Sequence, residues 1–327
     1  MKLATLKNGT RDGRLVVVSH DLKWACDASD AAPTLQYAVE NWEAVAPSLE
    51  DVSAALNAGQ LSNAFNFDSH QAMAPLPRAW QWLDGSAFLS HGELMQKAFE
   101  LDPVPGVLEF PLMYQGAGDD FLGPHQDVAL PSEEQGIDFE GEFVVLVDEV
   151  PMGTDRYAAL SHIKLLLQVN DMSLRALGPR EMRTGFGFLQ AKPSSSFAPV
   201  AVTPDELGSA WRDAKVHLPL EVYHNDVLFG RPHGGQMYFD FGQLIAHACA
   251  TRKLSAGTLV GSGTVSNQNH ESVGSACIAE RRAIETIVHG APRTAFMRFG
   301  DRVRMDVTGE DGQSVFGAID QRIVAKG

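Results

Sequence analysis

The chain has 327 residues, of which 44% are hydrophobic, and its 41 acidic and 26 basic residues give a formal net charge of −15. This length exceeds the size at which a single core usually stops growing, so we expect a larger domain and a smaller one. The acidic balance argues against nucleic acid or an anionic membrane as the main partner. Cys26, Cys249 and Cys277 lack C-x-x-C spacing, which predicts neither a zinc site nor disulfides and fits a reduced cytoplasm. No apolar run approaches the ~20 residues that cross a bilayer, so we expect a soluble, unexported protein.

Residues 1–75 are predicted to form a small N-terminal α+β domain. Segments 3–6 and 15–19 flank the turn-rich N-G-T-R-D-G and favour an opening β-hairpin. Apolar residues at helical spacing predict a helix over 34–58, with a kink near Pro47. The proline-dense stretch 73–80 is typical of an extended linker, which puts the domain boundary near residue 75.

Residues 76–327 are predicted to form a second domain, mainly β with few helices, so the whole chain belongs to the α+β class. Helical spacing recurs in two segments, at 88–101 and 239–252. Two turn-rich segments are expected to be loops, at 106–131 and at the glycine-rich 261–263. Strands are expected at 142–150, 162–169, 216–224, 227–229, 303–307 and 315–319, and the last two are predicted to close as a hairpin.

The segment I-D-F-E-G-E-F at 137–143 alternates apolar and acidic side chains. In a strand, this order places Asp138, Glu140 and Glu142 on one face. Neighbouring carboxylates in a poorly solvated place cannot both ionise cheaply unless a cation is present, and all-oxygen ligation suits Ca²⁺, Mg²⁺ or Mn²⁺ rather than zinc. From this pattern alone, a solvated strand face is the alternative interpretation.

Several well-known catalytic motifs are absent from the chain. No G-x-x-x-x-G-K-[ST], G-x-G-x-x-G, G-x-S-x-G or H-E-x-x-H sequence occurs. The sequence therefore supports neither nucleotide binding nor the simplest serine-hydrolase and zinc-protease functions.

An ordered set of short motifs resembles the fumarylacetoacetate hydrolase family. The set spans residues 80–321 and comprises Asp84, His91, Glu140-Gly141-Glu142, Asn170-Asp171-x-Ser173-x-Arg175, Lys192-Pro193-Ser194-Ser195, Gly261-x-Gly263-Thr264-x-Ser266, and the terminal strands 299–303 and 316–319. The resemblance implies a mixed β-roll in the C-terminal domain that encloses a metal-bound active site, usually in a homodimer. The first 75 residues match the family less clearly.

The resemblance implies that Asp84, Glu140, Glu142 and Asp171 hold Mg²⁺ or Ca²⁺, with Mn²⁺ also suitable, and that a 1,3-dioxo or 2-oxo acid substrate completes the shell. A divalent ion bound through such oxygens acts as a Lewis acid when a carbon–carbon bond breaks. Lys192 is expected to add a fixed positive charge near the developing oxyanion. A solvated loop lysine is the alternative.

Three further residues are expected to contact the substrate. Arg175 lies one turn beyond Asp171 if a helix starts at Ser173, and it then clamps a carboxylate, with a surface ion pair as the alternative. Tyr114 resembles a substrate-contacting tyrosine of the family, and a buried aromatic is its alternative. Thr264 is expected to hydrogen-bond the substrate carboxylate, unless the glycine-rich turn is purely conformational.

His91 is the candidate base that activates a water molecule. Family hydrolases pair this histidine with a glutamate downstream of the glycine-rich turn, and Glu280 is the best match, with Glu271 as the alternative. Gly178 departs from the family pattern, because it stands where the prototype has a glutamine, and this departure leaves the oxyanion contacts and the substrate open.

These residues predict a divalent-metal-dependent hydrolase that cleaves the C–C bond of a β-diketo acid of the fumarylacetoacetate or acylpyruvate type. A 2-oxo acid decarboxylase, isomerase or hydratase of the same family is the alternative within this group of enzymes. A non-catalytic β-rich protein that retains the metal cage is the alternative from another class. The partners expected are therefore a small-molecule substrate and a second copy of the chain.

Overall fold

The computed structural model describes all residues, 1–327, and combines twenty β-strands with seven α-helices. The predicted α+β class with a predominance of strand is confirmed. No helix has both the length and the apolar character needed to span a membrane.

The strands and helices occupy the following segments. The strands are β1 (Lys2–Leu6), β2 (Arg14–Val18), β3 (Trp24–Asp27), β4 (Phe65–Asn66), β5 (Trp82–Gly85), β6 (Met113–Gly116), β7 (Val128–Leu130), β8 (Ile137–Asp138), β9 (Gly141–Val147), β10 (Ile163–Asn170), β11 (Ser173–Leu174), β12 (Ser196–Phe197), β13 (Val200–Val202), β14 (Trp211–Arg212), β15 (Lys215–Val216), β16 (Leu220–His224), β17 (Val227–Gly230), β18 (Thr258–Gly261), β19 (Arg302–Val307) and β20 (Ile319–Ala325). The helices are α1 (Leu35–Glu40), α2 (Trp42–Asn57), α3 (Leu89–Phe99), α4 (Gly178–Thr184), α5 (Phe241–Ala248), α6 (His270–Val273) and α7 (Ile278–His289).

One large sheet of eleven strands organises the molecule, in the order β4-β3-β2-β1-β13-β10-β9-β18-β5-β6 with β12 paired to β10. The β1–β2 hairpin predicted at the N-terminus is confirmed. Because β1 pairs with β13, the N-terminal strands continue the sheet of the later ones, and the domain boundary near residue 75 stays a prediction. A second sheet has five strands in the order β17-β16-β19-β20-β7.

The large sheet is buried on both faces, as β10 illustrates. Leu166 belongs to one cluster of 50 buried residues, whereas Leu165 and Leu167 belong to another of 26. Successive strand side chains point to opposite faces, so the two clusters lie on opposite sides of the sheet. Strands β10, β9, β18 and β5 lie side by side in the half of the sheet that ends at β6, and this arrangement positions the candidate site.

The helix predicted over 34–58 is two helices, and the break lies at Asn41 rather than near Pro47. Asn41 has φ −123° and ψ 31°, and its side-chain amide donates to the carbonyl of Tyr37 at 2.9 Å. Asparagine readily competes for backbone groups in this way, which ends a helix. Pro47 is accommodated inside α2, so the predicted position of the kink was wrong.

Two strand predictions also require correction. The strand predicted at 216–224 is interrupted between β15 and β16, where Pro219 has no N–H to donate to a ladder. The closing hairpin pairs β19 with β20, which begins at Ile319, so the strand predicted at 315–319 was placed too early. Gly317 lies within the predicted segment and has φ +74°, a conformation that interrupts an extended strand.

Candidate active site

Asp84 lies near the end of β5 beside the glycine-rich turn that follows β18. Its register partner is Gly261, where an added Cβ would lie 2.3 Å from the Asp84 Oδ1 atom. Gly263 has φ +74°, and its backbone N–H donates to the same oxygen at 3.1 Å. The glycines are therefore required because the turn passes directly over the Asp84 carboxylate.

Three of the four predicted metal ligands converge. Carboxylate oxygens of Asp84, Glu142 and Asp171 lie within 4.8 Å of one another, and all three residues are buried. We call these three residues the carboxylate triad. Burial, together with the charge of Asp171, raises the pKa of Asp84 to about 8. Burial and the charges of Asp84 and Asp171 also raise the pKa of Glu142 far above its ordinary value.

Glu140 lies beside the carboxylate triad but is not part of it. Its Oε1 atom accepts from Lys192 Nζ at 2.7 Å and from Ser173 Oγ at 2.5 Å, and its Oε2 atom accepts from the Thr264 hydroxyl. Burial works against ionisation, but the charges of Arg175 and Lys192 outweigh it and hold the pKa of Glu140 below its ordinary value. Glu140 is thus saturated by protein donors, unlike Glu142.

Lys192 joins Glu140 to the carboxylate triad. Its side chain is only 10% exposed, and Nζ lies 2.7 Å from Glu140 Oε1 and 2.6 Å from Asp171 Oδ2. Burial opposes the charge, but the carboxylates of Asp171 and Glu140 outweigh it and raise the pKa of Lys192. The ammonium also lies 5.3 Å from the ring centre of Tyr114, whose hydroxyl donates to Asp171 Oδ2 at 2.5 Å.

Arg175 does not lie on a helix, because Ser173 and Leu174 form strand β11 and the next helix begins only at Gly178. The placement of Arg175 one helical turn beyond Asp171, which depended on a helix from Ser173, therefore does not apply. Arg175 Nε donates to Asp138 Oδ2 at 2.8 Å, and Nη2 lies 3.1 Å from Glu140 Oε1. Its guanidinium is therefore engaged by buried carboxylates.

His91 lies in the first turn of α3 and contacts a glutamate on α7. The His91 Nδ1 atom lies 2.9 Å from Glu280 Oε2, and the Glu280 side chain is fully buried. Glu271 is exposed on the short helix α6, so the structure pairs His91 with Glu280. A carboxylate at this ring nitrogen fixes the tautomer and leaves Nε2 to exchange protons.

Several polar contacts around the site were not assigned roles by sequence reasoning. Ser195 Oγ donates to Asp171 Oδ1 at 2.5 Å, and Asn170 Oδ1 accepts from the backbone N–H of Glu140 at 3.0 Å. Both residues lie within the motifs named above. Asn170 directly precedes Asp171 and Ser195 follows Lys192 by three residues, and this proximity was the available signal. Asp138 is fully buried and was considered only as part of the alternating strand.

The charges and contacts of the site fit a divalent cation. Neither carboxylate oxygen of Glu142 has a hydrogen-bond partner, although both are buried. A carboxyl group in that position is stable only if it keeps its proton or, when ionised, binds a cation. The ligand atoms that the triad offers to a metal are all carboxylate oxygens, which suit hard cations such as Mg²⁺, Mn²⁺ or Ca²⁺. A divalent ion there would be held by Asp84, Glu142 and Asp171.

Comparisons with known proteins cover nearly the whole chain. Residues 1–78 match the profile described as fumarylacetoacetase N-terminal domain 2, and residues 81–324 match that of the fumarylacetoacetate (FAA) hydrolase C-terminal domain. The chain is 29% identical over 157 residues to 2,4-didehydro-3-deoxy-L-rhamnonate hydrolase from Sphingomonas sp. (strain SKA58), a match that covers 47% of this chain and 52% of that protein. The chain thus matches about half the length of that curated relative.

Two solved structures share the fold over 100% of both chains. One is maleylpyruvate hydrolase from Sphingobium sp. SYK-6 in complex with manganese (II) ion and pyruvate, with a TM-score of 0.66 and 18% identity. The other is 5-carboxymethyl-2-hydroxymuconate delta-isomerase from Mycobacterium smegmatis, with a TM-score of 0.61 and 16% identity. At these identities the likeness shows the fold alone.

Proposed function

This chain belongs to the fumarylacetoacetate hydrolase family, and from that premise we propose that it hydrolyses the C–C bond of a β-diketo acid of the acylpyruvate or fumarylacetoacetate type with the help of a divalent metal. Family membership and the named relatives indicate an enzyme of hydrolase or isomerase type. The reaction itself, the metal and the residue roles are the proposal.

The carboxylate triad supports the metal requirement, because the unpaired oxygens of Glu142 need a positive charge. When bound, a divalent cation would supply Lewis-acid polarisation of the substrate oxygens. Mn²⁺ and pyruvate are bound in the maleylpyruvate hydrolase named above, in line with this choice of cofactor and with a 2-oxo acid substrate. Glu140, saturated by protein donors, would then serve mainly to hold Lys192 and Arg175 in place.

The pairing of His91 with Glu280 is the observation that carries the hydrolase proposal. Hydrolysis requires a base that takes a proton from water, and a histidine oriented by a buried carboxylate provides one. For an acylpyruvate, water oxygen bonds to the distal carbonyl carbon and the adjacent C–C bond breaks. The electron pair remains on the pyruvyl methylene carbon, which takes up a proton, so the products are a carboxylic acid and pyruvate.

Lys192, Tyr114 and Thr264 would complete the reaction environment. The Lys192 ammonium is a fixed charge in a dry site, so it would stabilise negative charge that develops on a substrate oxygen. Tyr114 donates to Asp171 and Thr264 donates to Glu140 in the structure, and both hydroxyls would reorient towards a substrate carboxylate. Arg175 is held by two carboxylates and would support Glu140 rather than bind the substrate.

Turnover with product identification tests the proposal. Purified protein is incubated with acetylpyruvate and a panel of 2-oxo acids, with added Mg²⁺ or Mn²⁺ and with excess chelator. We expect equal amounts of acetate and pyruvate from acetylpyruvate, no turnover in chelator, and recovery on adding the metal. Carbon dioxide without hydrolysis products would identify a decarboxylase, and an isomerised product would identify an isomerase. Full activity in chelator would reject the metal requirement.

Variants of the His91–Glu280 pair separate binding from chemistry. His91→Ala should lower kcat by about 10²- to 10⁴-fold, the usual worth of a positioned general base. Metal affinity should stay nearly unchanged, because the proposed metal ligands are the three carboxylates of the triad and His91 is not one of them. Glu280→Gln should reproduce the loss, whereas Glu271→Gln, on exposed α6, is the matched control and should retain activity. An indifferent His91→Ala variant would reject the hydrolase mechanism.

A further inference from the structure

We propose that Asp138 is a positioning residue that fixes the first turn of α7, and through Glu280 the imidazole of His91, relative to the metal-binding carboxylates. This inference rests on the proposed function of the His91–Glu280 pair. It assigns a role to a buried carboxylate that would neither hold the metal nor touch the substrate.

Asp138 accepts hydrogen bonds from the first two residues of α7. Its Oδ1 atom accepts from the backbone N–H of Ile278 at 2.7 Å, and its Oδ2 atom accepts from that of Ala279 at 2.9 Å. A carboxylate at a helix N-terminus satisfies donors that have no partner within the helix and interacts favourably with the helix dipole. Here the carboxylate comes from a strand 140 residues away in the chain.

The local cap of α7 is weak by comparison. Cys277 occupies the N-cap position, and its Sγ atom accepts from the backbone N–H of Glu280 at 3.3 Å. A thiol sulfur is a poor acceptor relative to the hydroxyl or carboxylate oxygens usually found at this position. The strong acceptor for the first turn is therefore Asp138, supplied by β8.

Asp138 also belongs to the network on the metal side of the site. Its Oδ2 atom accepts from Arg175 Nε at 2.8 Å, and the same guanidinium lies 3.1 Å from Glu140. Further along the same segment, Gly141 donates its N–H to the carbonyl of Ala276, just before α7. One buried side chain thus connects Arg175, and through it Glu140, to the helix that carries Glu280.

The orientation of Glu280 depends on this turn. Glu280 is the third residue of α7 and is fully buried, and only its Oε2 atom has a partner, the His91 imidazole at 2.9 Å. No second hydrogen bond restrains its carboxylate, so the path of the backbone through the first turn decides where it points. A small rotation of that turn would lengthen the contact with His91.

The test compares Asp138→Asn with Asp240→Asn. In Asp138→Asn, the new amide would keep one acceptor oxygen for Ile278 and place an NH2 group against Ala279 and Arg175. Asp240 is the matched control, because it is also buried, caps a helix (α5) by accepting from Gln243 at 2.9 Å, and pairs with Arg156. Helix α5 carries none of the predicted site residues.

The first readout does not require turnover. In ¹⁵N-histidine-labelled protein with Mg²⁺, the proton between His91 Nδ1 and Glu280 should give a low-field signal, assigned by its loss in His91→Gln. We expect Asp138→Asn to shift or abolish this signal with Mg²⁺ affinity unchanged, and Asp240→Asn to leave it intact. An unchanged signal in Asp138→Asn, or an equal loss in Asp240→Asn, would overturn the proposal.

The second readout is the kinetic split on acetylpyruvate. Asp138→Asn should lower kcat by about 10- to 100-fold, as expected for a displaced catalytic group, with KM unchanged. If the wild-type protein hydrolyses neither acetylpyruvate nor fumarylacetoacetate, the proposed function fails while the signal still decides the role of Asp138. If Asp138→Asn does not fold, both measurements are made on Asp138→Ser, which retains a hydroxyl acceptor. Failure of both variants to fold would leave Asp138 a purely structural residue and refute the positioning role.

Discussion

At the scale of single residues, Glu140 and Glu142 lie two positions apart in opposite electrostatic environments. Glu140 accepts from three side-chain donors, and positive neighbours lower its pKa. Glu142 has no donor on either oxygen, and burial raises its pKa. Two carboxylates whose pKa values are driven apart in this way have different roles. We assign Glu142 to the cation and Glu140 to the support of its neighbours.

The contrast predicts opposite effects of two similar substitutions. Glu142→Gln should raise the unfolding temperature of the metal-free protein, because it removes a buried carboxylate without partners, a change worth on the order of 1 kcal/mol. The same variant should gain no stability from Mg²⁺. Glu140→Gln is the matched control and should lower the unfolding temperature, since it leaves Lys192 and Arg175 short of a charge partner. Thermal unfolding with and without MgCl₂ measures both, and equal signs for the two variants would contradict the assignment.

The raised pKa of Asp84 predicts a pH-dependent benefit from metal. In the folded metal-free protein the carboxyl keeps its proton up to a pKa of about 8, whereas in the unfolded chain it loses the proton near a pKa of about 4. The contribution of Asp84 to the free energy of unfolding is fully present at a pH below its pKa in the unfolded chain. This contribution is lost as the pH rises through its pKa in the folded protein. A bound cation offsets this loss, so the gain in unfolding temperature on adding MgCl₂ should grow from about pH 5 to about pH 8.5. A gain independent of pH would argue against Asp84 as a ligand.

At the scale of elements, the turn after β18 determines how closely the chain passes Asp84. A Cβ added at Gly263 would lie 2.3 Å from the carbonyl oxygen of Gly85, and φ is +74°. Such a clash cannot be relieved by a side-chain rotation, because the partner is backbone. The turn and the end of β5 must therefore move apart if this glycine is replaced.

Gly263→Ala should consequently lose more stability than a comparable glycine elsewhere. Gly153 is the matched control, since it has φ +78° and no atom within 4 Å of the added Cβ. Gly153→Ala should cost only the left-handed strain, about 1–2 kcal/mol. Gly263→Ala should cost more and should also weaken the response to Mg²⁺, because its N–H donates to Asp84. Denaturant unfolding of both variants measures the difference, and equal losses would refute the argument.

At the scale of the whole molecule, several large apolar side chains lie on the surface. They include Phe186, which is 96% exposed, and Leu189, which is 83% exposed, together with Phe99, Leu108 and Phe110. Exposed apolar surface of this kind often marks an interface between proteins. The homodimer that the family resemblance implies would provide a cover.

We expect sedimentation to report about twice the 35.4 kDa mass of the chain. If the exposed loop that follows α4 lies in the interface, Phe186→Ser with Leu189→Ser should shift the population towards monomer. Tyr157→Ser, a change at an exposed aromatic on another loop, is the control and should leave the oligomer intact. A wild-type monomer at micromolar concentration would contradict the prediction.

The sequence by itself determined the fold class, the family and most of the elements. The apolar run of β9 and the helical spacing of α3 and α5 are local signals, and here the tertiary structure agrees with them. The order of the motifs from Asp84 to Ser266 identified the family, because residues that share one site keep their chemical identity at characteristic separations. The errors at Asn41, Pro219 and Gly317 were also local, since single side-chain and backbone features overrode the periodic pattern.

Only the tertiary structure decided how these residues meet. The sequence cannot indicate that Lys192 occupies the space between Glu140 and Asp171, because the three residues come from three separate segments of the chain. It also left both Glu280 and Glu271 open as partners of His91, and the packing of α3 against α7 distinguishes them. The charge of each carboxylate depends on burial and on which donors lie within about 3 Å, and these are properties of the packed sheet rather than of residue order.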